Sequence, residues 1–398
     1  MIRRLIILLL IVGCEETTEP LVCDEGLTEL DGKCIYECDE GVTECYYPSD
    51  LDVLQEFINN AQDRDIPPYA YPQVPSDLPP FELGKQVWED GRLVELCITR
   101  SSDNEYDNCI VNFSLNQIPP SLGSLDYLRT LILPAMHLNG EIPSSISNLN
   151  ELKVIDLSSN RLSGDIPIGI WDLDSLSGLY LSNNNLVGKI PENINQLSKL
   201  VDLELGVSTL NLPPNYINKL TGHIPNNICA LSSLSSLNLN NSGLTGDVPS
   251  CLWAMESLRN LNLGNSYSLV FDHFPDEFDG VYNQFDGLLI PHEVGNLQNL
   301  KTLNLGGLQI TGEIPESIDY LSNLMILWLN NNQLTILPES ICNLSTHCYV
   351  IISNNQFCPP YPDCNEALIA QPLLNFVGEQ DTSECEYCIE NPTDPLCN

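Results

Sequence analysis

The strongest candidate for a metal site in the 398-residue chain is "FDHFPDEFDG", where Asp272, His273, Asp276, Glu277 and Asp279 offer carboxylate oxygens and one imidazole. Calcium takes about six to eight oxygen ligands, but the spacing here is not that of a helix-loop-helix calcium site. With a formal net charge of −39, these acids are expected to serve first as a solvating surface, and no metal is assigned to them. The five histidines, His137, His223, His273, His292 and His347, share no motif. His292 in "PHEVG" lacks the second histidine of a zinc hydrolase helix. No phosphate-cradling glycine loop and no G-x-S-x-G turn occurs. Catalysis requires groups of matched roles within reach of one another. None is legible, so the chain is expected to be neither an enzyme nor the holder of a cofactor.

The sixteen cysteines offer thiol chemistry. In an exported chain such a number points to disulfides. Cys23, Cys34, Cys38 and Cys45 crowd a short acidic segment and are expected to form two bridges. Cys358 and Cys364 in "FCPPYPDC", followed by Cys385, Cys388 and Cys397, predict a disulfide-closed C-terminal cap. Cys229 and Cys342 each follow a proline by four residues and read as buried small hydrophobes, although Cys251 is placed to pair with Cys229.

What positions these groups is a repeat. "LKVIDLSSNRLSGDIP" (152–167) returns as "LSGLYLSNNNLVGKIP" (176–191) after 24 residues. The pattern L-x-x-L-x-L-x-x-N-x-L-x-G-x-I-P starts at Leu128, Leu152, Leu176, Leu200, Leu234, Leu258, Leu300 and Leu324, with degenerate copies at Leu93 and His347, giving ten coils. Within a copy, Ile155 and Leu157 alternate with Val154, Asp156 and Ser158, the period of a strand with one buried face. The glycine permits a turn closed to other residues, and the proline cannot extend a ladder, so the chain leaves the sheet there. A single coil buries too little to offset its ordering cost. Stacking shares each apolar layer between neighbours and makes the array stable.

Over about residues 88 to 357 the chain resembles the leucine-rich repeat family, and the G-x-I-P tail resembles its plant-type subclass. The resemblance implies an α/β solenoid, a right-handed superhelix with a concave parallel sheet. The asparagine of the ninth position is kept at Asn160, Asn184, Asn332 and Asn355 but replaced at Met136, Ser208, Ser242, Ser266 and Leu308. Looser turns are expected in those coils.

The register places one outward row on the sheet: Cys97, Ile132, Asp156, Tyr180, Glu204, Asn238, Asn262, Asn304, Trp328 and Ile351. Tyr180 and Trp328 are its large aromatics, and Asp156, Asp202 and Glu204 form an acidic patch. Three coils are longer than the period, by 11, 10 and 18 residues. All three insertions fall between the second inward strand residue and the repeat glycine, hence on one rim. Cys97 and Cys109 are expected to form a disulfide closing the first. The loops at about 206–219 and 266–284 arise from coils with a single coil between them, so at about 4.8 Å per strand their bases should lie about 10 Å apart. They are expected to form one binding surface bearing Tyr216, Tyr267, Phe271, Phe274, Phe278 and Tyr282, the alternative being a small satellite core in which the aromatics of the second loop pack on Leu210, Leu212 and Tyr216.

The N-terminus, "MIRRLIILLLIVGCEE", has two arginines and an apolar run from Leu5 to Val12 too short to span a bilayer. Residues 1–13 read as a signal peptide. Gly13-Cys14 resembles the lipobox of bacterial lipoproteins, which implies that Cys14 is lipidated and tethers the protein to a membrane. Residues 14–48 form an acidic, cysteine-rich tether, and 15–65 hold 16 acids against Lys33 and Arg64, so nucleic acid is a poor partner. Residues 49–90 form an N-terminal cap. In it, Leu51, Leu54, Phe57, Ile58 and Ala61 fall at helical spacing behind a possible Ser49 N-cap. Repeats run over 91–357 and the C-terminal cap over 358–398. The expectation is a surface-anchored module recognising an extracellular protein or glycan, with an envelope spacer or an inhibitor of a foreign enzyme as the alternatives.

Overall fold

The computed structural model describes residues 28–30, 33–35, 46–62, 74–75, 77–89, 91–100, 109–207, 216–265, 281–362, 364, 380–383 and 385. The chain falls into two compact units, Met1–Leu162 with Pro167–Ser175, and Ser163–Ile166 with Leu176–Asn398.

The first unit opens on an antiparallel hairpin, Thr28–Leu30 with Lys33–Ile35. The helix Pro48–Gln62 follows. It starts one residue before the expected cap, because Pro48 has the φ of a first helical turn. The Ser49 hydroxyl bonds the Asp50 carboxylate instead. Leu54, Phe57, Ile58 and Ala61 are buried as the spacing predicts, but Val53 completes the face and Leu51 is only half-buried. Asp50 is fully buried. It accepts from Nε of Arg92 at 3.1 Å, from Nη2 at 3.0 Å and from the Leu93 N–H at 2.8 Å. The Arg92 guanidinium lies 4.4 Å from the Tyr47 ring centre and 4.5 Å from that of Tyr127. A charge-assisted cluster therefore fastens the helix to the first coil. The strand Lys85–Glu89 runs antiparallel to Arg92–Cys97, and Thr130–Ile132 and Val154–Asp156 add parallel to it.

The second unit contains seven parallel strands in coil order: Gly178–Tyr180, Asp202–Glu204, Ser236–Asn238, Asn260–Asn262, Thr302–Asn304, Ile326–Trp328 and Tyr349–Ile351. With the three of the first unit these account for the ten expected coils. A leucine sits inward at the middle of six of the seven, Leu179, Leu203, Leu237, Leu261, Leu303 and Leu327, each fully buried. Beyond the repeat proline each coil before the last makes a five-residue 3-10 helix, such as Glu192–Gln196 or Glu316–Tyr320. A 24-residue period leaves no length for an α-helix. One apolar residue three after the proline, such as Ile194 or Ile318, plugs each layer.

The asparagine ladder is more complete than counting from the leucines predicts. Asn160 donates to the carbonyls of Leu133 at 2.8 Å and Leu157 at 3.0 Å and accepts from Leu138 N–H at 2.9 Å. Asn218 and Asn283 do the same at the far ends of the second and third insertions. Asn218 donates to Leu181 and Leu205 and accepts from Leu186. Asn283 donates to Leu239 and Leu263 and accepts from Leu244. Ser208 and Ser266 lie within the insertions, outside the described residues, so the ladder in those two coils is displaced rather than lost.

Four disulfides join described residues: Cys97–Cys109, Cys229–Cys251, Cys342–Cys364 and Cys358–Cys385. The first closes the first insertion as expected. The pairing open to Cys229 with Cys251 is present and Cys342 is bridged as well, so neither Cys229 nor Cys342 is a free small hydrophobe. Each partner lies 22 residues on, close to one period, which brings the two side by side in successive turns. The last two bridges close the C-terminal cap, where Gln380 also accepts from the Asn355 N–H at 3.2 Å. Such bridges belong to an oxidising compartment and mark an exported protein. Cys348 is buried and free, and burial pushes its thiol up to about 12.

Candidate binding face

The outward row has the register that the alternation predicts. Cys97, Ile132 and Asp156 are paired in the first unit. In the second, Tyr180, Glu204, Asn238, Asn262, Asn304, Trp328 and Ile351 follow one another across the sheet. Accessibility is another matter. Asp156 is only 4% exposed. Its carboxylate turns along its own strand to accept from the Ser158 N–H at 3.0 Å and hydroxyl at 2.7 Å, so it is a turn-closing acid and not part of an acidic patch. Trp328 is 7% exposed, contrary to its reading as an open aromatic. Its strand is flanked in register by Asn304 and Ile351, and rows about 4.8 Å apart leave a large ring little surface for solvent.

Tyr180, Asp202 and Glu204 remain half-exposed. The Tyr180 hydroxyl donates to Oδ2 of Asp202 at 2.9 Å. Gly178 makes this possible: a Cβ there would stand 2.7 Å from Cε2 of Tyr180, so the ring lies across a strand position that has no side chain. Gly178 pairs in register with Asp202, which puts the carboxylate beside the ring's path. The sequence reading missed Gly178, though a glycine two before the tyrosine of "LSGLYL" was the available signal. Asn238, next in the row after Glu204, donates to the Val207 carbonyl at 3.2 Å, tying the face to the base of the second insertion. Face and loop base thus meet at Tyr180, Asp202, Glu204 and Asn238, with hydroxyl, carboxylate and amide groups that can donate and accept.

Tyr216 and Tyr282 are half-buried beside the ladder residues Asn218 and Asn283. Tyr267, Phe271, Phe274 and Phe278 lie outside the described residues, as do the acids of 272–279 and Cys14, Cys23, Cys38 and Cys45. Of Cys34 only the backbone strand is described.

Two family models match the chain, both described as leucine rich repeat, one over residues 126–186 and the other over 299–321 and 323–344. Among solved structures, a TDR receptor is 28% identical with a TM-score of 0.55, covering 68% of this chain and 42% of that one. A plant peptide hormone receptor, RGFR1 in complex with RGF2, is 27% identical with a TM-score of 0.50, covering 67% and 44%. A plant ice-binding protein aligns over 85% of this chain and 100% of its own with a TM-score of 0.60, at 22% identity, a likeness of fold. The chain spans less than half the length of these two receptors. No curated protein sequence matches it.

Proposed function

We propose that this chain, which belongs to the leucine-rich repeat family in its plant-type form, is a binding module that captures an extracellular protein or peptide on its sheet face and loop-bearing rim, held at a cell surface by lipid on Cys14. The observation that carries the reading is the contrast between the two sides of one sheet. Inward, the second unit repeats leucine strand after strand; outward, the accessible part of the row changes from Tyr180 and Glu204 through Asn238 and Asn262 to Ile351. A spacer needs the inner regularity alone, whereas recognition needs an outer surface that differs from place to place. The peptide hormone receptor among the similar structures holds a peptide, which favours a polypeptide ligand over a glycan. The bases of the second and third insertions, at Val207 and Asn265, are tied to neighbouring coils of the same sheet, and the apolar run at 5–12 followed by Gly13-Cys14 supports the anchor.

A photo-crosslinking amino acid in place of Glu204 tests the reading in the native surface setting. A discrete crosslinked species that disappears when Tyr180 and Asp202 are changed to alanine is the expected result. Adhesion that survives this double change and is lost only with Cys14→Ser would establish the spacer instead.

A further inference from the structure

On the turn-and-helix side of the second unit, away from the sheet face, the ladder of short strands is interrupted. Thr245–Gly246 pairs with Gln284–Phe285, placing Gly246 opposite Phe285. From there one coil reaches its repeat proline, Pro249, after two residues, and the next reaches Pro291 only after five, Asp286 to Ile290. The three additional residues form a bulge. Its Gly287 has a φ of 53° and no atom within 4 Å of where a Cβ would stand, so the bulge projects into open space. The strand Thr311–Glu313 of the following coil pairs with Gln333–Ile336 and not with the bulged coil.

Between the bulge and the preceding coil lies a cleft of about 530 Å³, within the size range of ligand sites. Val248, Trp253, Leu288 and Pro291 give it apolar walls, and Asp247, Asp286 and Glu293 place three exposed carboxylates among them. None of its described lining residues is basic. Trp253 is 4% exposed, and its indole N–H has no hydrogen-bond partner among the described residues. Cys251 belongs to the lining and is bridged to Cys229 of the coil before, which fixes one wall.

We infer that this cleft is a second docking site, and that its occupant is an extended polypeptide segment presenting an arginine or lysine beside apolar residues. The cation's aliphatic stem suits an apolar wall that contains an indole, its head suits the three carboxylates, and a backbone carbonyl of the same segment can accept from the indole N–H. The site is separate from the sheet face and does not depend on the reading proposed for it.

The test uses the full chain and a fluorescein-labelled peptide, Gly-Ser-Leu-Arg-Leu-Ser-Gly, followed by fluorescence anisotropy, with a glutamine-for-arginine analogue as the comparison. Because the whole chain is acidic, two triple variants of equal net charge are compared: Asp247→Asn, Asp286→Asn, Glu293→Gln in the cleft, and Glu151→Gln, Asp172→Asn, Asp174→Asn elsewhere. The arginine peptide should bind more tightly than its analogue. The cleft triple should weaken it about tenfold, each exposed carboxylate contributing a few-fold, while the distant triple changes it by less than about twofold. Tyr180→Phe should leave the affinity unchanged, which separates this site from the sheet face. Equal losses in both triples, no loss in the cleft triple, or equal binding of the two peptides would overturn the inference.

Discussion

The ring of Tyr180 occupies the space that a side chain at position 178 would fill, since a Cβ on Gly178 would stand 2.7 Å from Cε2 of the ring. The absence of one methyl group therefore sets the direction of the largest half-exposed aromatic on the sheet face. Gly178→Ala should swing the ring off the strand and break its bond to Asp202, changing stability by no more than about 1 kcal/mol because the hydrogen bond is partly solvated. Ligand capture should fall as far as it does in Tyr180→Phe. Equal capture by Gly178→Ala and the parent chain would show that the ring's direction is irrelevant to binding.

Loop length and ladder chemistry can be separated at the third insertion. Asn283 is buried and links the carbonyls of Leu239 and Leu263 to the N–H groups of Ser242 and Leu244, so Asn283→Ala takes a hydrogen bond from each of four backbone groups. A loss of about 2–4 kcal/mol in urea unfolding is expected. Replacing residues 266–280 by a short turn, with Asn265 and Asn283 kept, should cost far less, because Asn265 exchanges its own hydrogen bonds with Asn283 at the loop base. A larger loss from the loop replacement than from Asn283→Ala would mean that the loop is part of the core.

The ten coils and the outward row were legible because burial dictates them: each layer must be filled at a fixed spacing, and side chains alternate across a strand. The ladder was misread where that logic stops. Counting from the leucines leads to Ser208 and Ser266, whereas the need is for an amide bridging successive turns, and an insertion moves that amide to Asn218 or Asn283. Alternation assigned Asp156 and Trp328 to the correct face but carries nothing about crowding, so their burial was not foreseen. The pairing of Cys229 with Cys251 was legible, and that of Cys342 with Cys364 was within reach by the same logic, since a separation of 22 residues in a 24-residue repeat aligns two cysteines across neighbouring coils.

The N-terminal helix should depend on one buried carboxylate. Asp50→Ala removes four hydrogen bonds at once, from Ser49, from Arg92 twice and from the Leu93 N–H, and leaves Arg92 largely enclosed between Tyr47 and Tyr127, with side-chain exposure of 12%. About 3 kcal/mol should be lost, and amide exchange should accelerate first in Pro48–Gln62. Asp126 also pairs with Arg92 but is 61% exposed, so Asp126→Ala should cost under about 1 kcal/mol. Similar losses from the two changes would indicate that the latch is not the buried pair.

Cys348 supplies a probe of the C-terminal coils that works through pH. An ordinary thiol ionises near about 8.5, and burial in the fold pushes this one up to about 12. The folded state therefore favours the protonated form. Its contribution to stability is fully present below about 8.5, where both states hold the proton, and is lost as pH rises from there through about 12. Alkylation requires the thiolate, so native Cys348 should resist iodoacetamide even as pH is raised from about 8 to about 10, a range over which an exposed thiol becomes fully reactive. Adding urea at constant pH should release it in a single step with the unfolding of the surrounding coil. Rapid native labelling at about pH 9, read by mass spectrometry of the peptide that contains residue 348, would show that these last coils open far below the global transition, in which case the bridges Cys342–Cys364 and Cys358–Cys385 would not be holding the cap closed.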